Sequence, residues 1–157
     1  MAAESKADDA ARRMAKAGVS LVTHGGASAA IPPILKLRQA GVLVFAGNDD
    51  VRDTWSPYGS GDMLERAMLI GWRSDFRREG ELAVAFDLVT QAGARALGFG
   101  PHGIAKGAAA DLSVVAASGI GEAVAAHPPR KWVMKRGRIV ARGGKALASP
   151  EPPVGAA

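Results

Sequence analysis

Val42, Leu43, Val44 and Phe45 follow one another with no polar residue between them. This is the pattern of a strand covered on both faces in a parallel sheet, since a half-exposed strand alternates. The run ends at Ala46, and a polar segment, Asn48-Asp49-Asp50, follows after a single glycine. A second apolar segment, Val19–Thr23, leads into the loop His24-Gly25-Gly26-Ala27-Ser28. Between the two, Pro32 and Pro33 open a helix that packs through Ile34, Leu35 and Leu37 and stops at Gly41. Strand, helix, strand at this spacing is a βαβ unit. Ahead of it, Ser5 is placed to cap a helix to about Ala17, with Asp8 near its positive end and Gly18 closing it.

Downstream, Asp62 is an N-cap candidate for a helix to about Ser74 that buries Met63, Ala67 and Ile70. Leu82–Val89 reads as another helix, and Thr90 as the cap of a short one carrying Ala94 and Leu97. After Gly98 small residues and glycine-rich turns dominate. They lead to a strand over Leu112–Ala116, a short helix near Gly121–Ala126, and a hairpin of Lys131–Lys135 with Arg138–Arg142 turning at Arg136-Gly137. The proline-rich end from Ser149 predicts a frayed tail.

The charge is local. Of the formal +5, seven positive charges come from Arg130, Lys131, Lys135, Arg136, Arg138, Arg142 and Lys145, in a stretch with no acid between Glu122 and Glu151. The rest of the chain holds 13 basic and 15 acidic residues, so overall basicity does not point to nucleic acid. Trp132–Val140 alternates as an amphipathic hairpin, whose charges form a solvated face and blunt an edge strand. With no cysteine, disulfides and thiolate ligation are excluded. Acids occupy the start where a signal peptide needs an apolar core, and no apolar run approaches about 18 residues. The expectation is a cytoplasmic protein with no membrane partner.

Asp49 stands just past the end of a strand of the parallel-sheet type, where such folds carry their chemistry. Asn and Asp are equally turn formers that hydrogen-bond their own backbone, so a plain solvated turn fits the same residues. Trp55 beside Pro57 reads as packing as readily as a platform for a ring. Arg52 and Asp53 could pair with each other or with neighbours.

Ala46-Gly47-Asn48-Asp49-Asp50-Val51-Arg52-Asp53-Thr54-Trp55-Ser56-Pro57-Tyr58-Gly59, continuing through Gly61-Asp62-Met63-Leu64-Glu65-Arg66-Ala67, resembles the strand-eight segment of the cytosine deaminase-like branch of the metal-dependent amidohydrolases. His102–Val115 is similar to the passage where amidohydrolases leave the barrel and re-enter their small β-domain. The resemblance runs from about Gly18 to Gly143. It implies an α/β fold: the C-terminal part of a TIM-like (β/α)8 barrel, its last two strands and helices over residues 1–100. Part of a small β-sandwich domain follows at 101–145, then a disordered tail at 146–157.

The resemblance further implies metal-dependent hydrolysis of a C–N bond in a cyclic amidine or nucleobase. Asp49 matches the aspartate that helps hold the metal or the water and carries a proton to the leaving nitrogen. Asp50 and Trp55 match positions beside the substrate ring. The divalent metal, zinc or iron, needs about three protein ligands. The family draws its histidines from earlier strands, and His24, His102 and His127 match none of them; surface placement is expected for the last two. A whole barrel takes about 250 residues, which 157 do not reach. The expectation is therefore a truncated or split member that needs an N-terminal half or an oligomer partner, and whose open strand edges otherwise pair with other chains. Creatinine, isoguanine, triazines and other cyclic amidines all remain open as substrates. The alternatives are a non-catalytic module binding polyanions or nucleic acid, and a degenerate structural remnant.

Overall fold

A computed structural model describes residues 6–27 and 29–149. The expected cap Ser5 and the expected tail beyond Ser149 lie outside them. Six helices and six strands follow one another among the described residues.

The βαβ unit forms as the apolar pattern requires. Strands β1 (Leu21–Thr23) and β2 (Val44–Ala46) pair in parallel, Leu21 with Val44 and Thr23 with Ala46, across helix α2 (Ile34–Gln39). Helix α1 (Lys6–Lys16) precedes them. One face of the sheet is dry: Val44 is fully buried with Ile34, Leu37, Val42, Ala46, Ile70 and Leu88. The other carries Val22, which stays 59% exposed opposite Phe45. The two-stranded sheet thus has one solvated face, where an apolar run had implied cover on both.

Helix α3 (Met63–Arg73) is capped by Asp62, whose carboxylate accepts from the Leu64 and Glu65 N–H groups. Ala67 and Ile70 are fully buried and Met63 packs at the margin of the core, as the 3–4 spacing predicts. Leu64 is buried too, in a second cluster with Ala67, Ala85, Ala123 and Val124. Helix α4 (Glu79–Leu88) starts three residues ahead of its predicted position. The Glu81 carboxylate accepts from the Arg77 and Arg78 N–H groups at 2.8 and 2.9 Å, which supplies partners for donors that a helix start leaves open. Thr90 precedes helix α5 (Gln91–Ala96) but does not cap it; its hydroxyl donates back to the Phe86 carbonyl at 2.8 Å.

The last part of the chain is a four-stranded antiparallel sheet in sequence order: β3 (Leu112–Val115), β4 (Arg130–Lys135), β5 (Arg138–Arg142) and β6 (Lys145–Ala146). Helix α6 (Ile120–Ala126) crosses between β3 and β4 and packs on α3 and α4. Arg136 and Gly137 both take positive φ, the geometry that closes a tight hairpin. Gly143 and Gly144 do the same before β6. Ala146, expected to begin a tail, is instead paired with Ala141, and the Leu147 N–H reaches the Val140 carbonyl. The glycine pair was the signal for that extra strand.

One polar tie joins α3 to this sheet, and another joins α6 to α4. Arg130 on β4 pairs with the α3 cap Asp62. The Gly121 N–H donates to Glu79 at 3.1 Å. Of the seven basic residues here, Arg130 and Lys135 are thus held by carboxylates, the latter by Asp111. No helix among the described residues is long and apolar enough to cross a membrane.

Candidate functional site

Parallel pairing puts the carboxyl ends of β1 and β2 at the same edge of the sheet. The residues that follow them therefore meet, although 25 positions separate them in sequence. His24 Nδ1 lies 3.9 Å from Asp49 Oδ2, with the imidazole largely covered and the carboxylate open to solvent. Asp49 adopts φ 60°, a left-handed turn that Asp tolerates better than most residues. Gly26 makes room for the imidazole, since a Cβ there would fall 2.4 Å from His24 Cε1. Both sequence readings of Asp49 are thus present in one place: it is a turn residue, and it stands at the strand ends facing a histidine.

Asp50 is half-buried beside it. Its carboxyl is raised above the usual aspartate range by partial desolvation first, and then by the charges of Asp49 and Asp53. Asp53 moves the other way, because its Oδ1 accepts from the Ser56 and Trp55 N–H groups, each at 2.9 Å. No ion pair joins Arg52 to Asp53 among the described residues, and the Arg52 backbone N–H donates to the Tyr58 carbonyl at 3.0 Å, closing the 52–58 excursion. Trp55 is 84% exposed at the tip. It therefore packs little against the described residues, and its ring is open to meet something outside them.

The opposite shifts of Asp50 and Asp53 have a pH signature. A depressed carboxyl stabilises the folded loop above the ordinary aspartate value, and that support goes as pH falls through the lowered one. A raised carboxyl does the reverse: its contribution is favourable in acid and is lost as pH rises through the raised value. Carboxyl NMR is expected to show Asp50 titrating at higher pH than Asp53. Asp53→Ala should abolish protection of the Trp55 and Ser56 amides, while Asp50→Asn should leave them intact. Equal titration of the two carboxyls would refute this account.

Two arginines of α3 hold this edge together, and the sequence reading passed over both. Arg66 is 8% exposed; its Nε donates to Asn48 Oδ1 at 3.1 Å and its Nη1 to the His24 carbonyl at 2.6 Å. Arg73 donates to the carbonyls of Gly25, Gly26 and Ala29, the first and last at 3.1 and 2.9 Å. The available signal was a cation inside the apolar stripe of an amphipathic helix, next to Ala67 and one turn from Ile70. Asn48 also donates to Met63 Sδ at 3.2 Å.

A cleft of about 860 Å³ lies elsewhere, between α3, α4 and the antiparallel sheet. Its wall is mainly apolar, and it includes His102, half-buried rather than on the open surface as expected. His127 is exposed at the end of α6. Its polar lining includes Asp87, Gln91, Asp111 and Arg130 beside His102. Among the described residues no three His, Cys, Asp or Glu side chains stand close enough to hold a metal ion. One carboxylate with one imidazole beside it falls short of the three or so protein ligands a catalytic zinc takes, so these residues do not by themselves make a metal centre.

Comparison with known proteins bears on the edge that Asp49 occupies: a family model described as "Amidohydrolase family" matches residues 1–141. The chain belongs to the amidohydrolase family. It is 31% identical over 136 residues to the N-isopropylammelide isopropyl amidohydrolase of Pseudomonas sp. (strain ADP), covering 86% of this chain and 34% of that protein. The crystal structure of the N-isopropylammelide isopropylaminohydrolase from Burkholderia multivorans ATCC 17616 superposes with a TM-score of 0.85 at 51% identity, over 89% of this chain and 36% of the other. The 5-methylcytosine deaminase of Klebsiella pneumoniae, crystallised with 5-fluorocytosine, shares the fold with a TM-score of 0.70 at 23% identity, over 88% of this chain and 37% of that one. The chain thus spans about a third of the length of these proteins. Its mixed α/β architecture is that of the matching part of the family.

Proposed function

We propose that this chain supplies the Asp49 side of an amidohydrolase active site that cleaves a C–N bond on a nucleobase-like ring. In this reading β1 and β2 are the last two strands of a TIM-like barrel within residues 1–100, and residues 101–145 form part of the small β-domain. The observation that carries it is the meeting of His24 and Asp49 at the carboxyl edge of two parallel strands, the edge at which barrel enzymes do their chemistry.

Hydrolysis of a C–N bond needs a group that takes a proton from the attacking water and returns one to the departing nitrogen. Asp49, with its carboxylate open to solvent and an imidazole beside it, is suited to that role. Asp50, whose carboxyl keeps its proton to higher pH than an ordinary aspartate, can donate a hydrogen bond to a ring atom, and the exposed Trp55 offers a face for the ring. A divalent metal, zinc or iron, belongs to the site only when another segment brings the remaining ligands. The partner is accordingly an N-terminal half of the same family, or a second chain that serves for it. Ring substrates related to N-isopropylammelide fit best, given the 51% identity to the B. multivorans enzyme.

The test is complementation. This chain should replace the matched segment of the B. multivorans enzyme and give metal-dependent amine release from N-isopropylammelide, while the isolated chain gives none. Full turnover by the isolated chain would overturn the need for a partner. A folded chimera inert towards both N-isopropylammelide and 5-methylcytosine would overturn the hydrolytic reading.

A further inference from the structure

His24 and Asp49 sit on two irregular turns just past the last bond of the β1–β2 pair, the Gly47 N–H to the Thr23 carbonyl at 3.2 Å, and beyond that bond the ladder no longer holds them. A single guanidinium spans them. Arg66 Nε reaches the side chain of Asn48, the residue before Asp49, and Arg66 Nη1 reaches the backbone carbonyl of His24. Arg73, two turns further along the same face of α3, holds the carbonyls of Gly25, Gly26 and Ala29. The helix that follows the site loop thereby grips the loop on the far side of the site.

Arg66 lies where packing alone asks for an aliphatic side chain, next to Ala67 and one turn before Ile70, both fully buried. A buried cation is costly unless its donors are met, and here Nε and Nη1 each donate to a neutral oxygen of one of the two turns. A planar fork with fixed donor directions sets both position and angle, which a lysine ammonium cannot do.

We propose that Arg66 is a positioning residue for Asp49, its guanidinium setting the separation of the two strand ends so that the carboxylate faces His24 and the reacting atoms. This rests on the reading of Asp49 as the proton-carrying group. Arg66 itself touches neither substrate nor water in this role.

The experiment uses the complemented enzyme with N-isopropylammelide as substrate. Arg66→Lys is expected to lower kcat by roughly 10- to 100-fold, the scale of a misplacement of about 1 Å, with KM changed less than about twofold. Asn48→Ala removes the other end of the same bridge and should reproduce that split, which keeps the test intact if Arg66→Lys does not fold. In an Asp49→Asn background either change should cost less than about threefold more, because a group that acts through Asp49 has nothing left to position. If Asp49→Asn is fatal but Arg66→Lys and Asn48→Ala both keep kcat, or if their losses multiply with that of Asp49→Asn, the positioning role is wrong while the role of Asp49 stands. If Asp49→Asn itself leaves kcat unchanged, the reading of Asp49 fails and this one with it.

Discussion

Asp49→Asn in the complemented enzyme is expected to lower turnover by about 10²- to 10⁴-fold, the usual worth of a positioned acid or base. The substitution is close to isosteric and removes the negative charge together with the ability to take and return a proton. Asn accepts the left-handed φ of 60° that this position adopts, and the side chain is solvent-open, so folding should be unaffected. Asp49→Ala would be a poorer probe, because it adds backbone strain to the chemical loss. Steady-state rates with an unfolding curve on the same sample check this; a loss below about tenfold with folding intact would remove Asp49 from the proton path.

Gly25→Ala is expected to be the most damaging small substitution in the loop. Gly25 has φ +64°, and a Cβ built there would lie 2.5 Å from Ile70 Cγ1, a side chain with no exposure. Left-handed strain of about 1–2 kcal/mol and overpacking of about 1–3 kcal/mol together give roughly 2–5 kcal/mol of lost stability. The two parts can be separated. Ile70→Ala alone should cost about 2–5 kcal/mol through the cavity it leaves, yet the double variant should cost clearly less than the sum, since the missing Cγ1 is what the new methyl strikes. Denaturant unfolding of the four proteins measures this directly. A change below about 0.5 kcal/mol for Gly25→Ala would show that the loop does not press on α3 as described.

Much of the local architecture was legible because it depends on neighbours in sequence. Asp62 caps α3 through N–H groups two and three residues on, and Arg136-Gly137 turns the hairpin by its own φ preferences. The misses share a cause as well. Helix α4 begins early because Glu81 reaches back to Arg77 and Arg78, and Thr90 bonds backward to Phe86 rather than forward into α5. In both cases a side chain had two local choices, and packing selected between them. The strand at Lys145–Ala146 follows a turn through Gly143 and Gly144, both at positive φ, and its second residue falls where a tail was expected to begin.

By itself the sequence determined that two short apolar segments flank a helix as a parallel pair, that three carboxylates follow the second, and that the stretch resembles an amidohydrolase. Periodicity and turn chemistry suffice for that, because each acts over a few residues. Only the tertiary structure decided that Asp49 faces His24, that Trp55 projects into solvent, and that Arg66 turns inward to bind both strand ends. Those contacts join residues 18 to 42 positions apart, and no local rule favours one over another. They exist because burial of Ile70 and Val44 in one core docks α3 against the strand ends, where the Arg66 donors find unmet oxygens within reach.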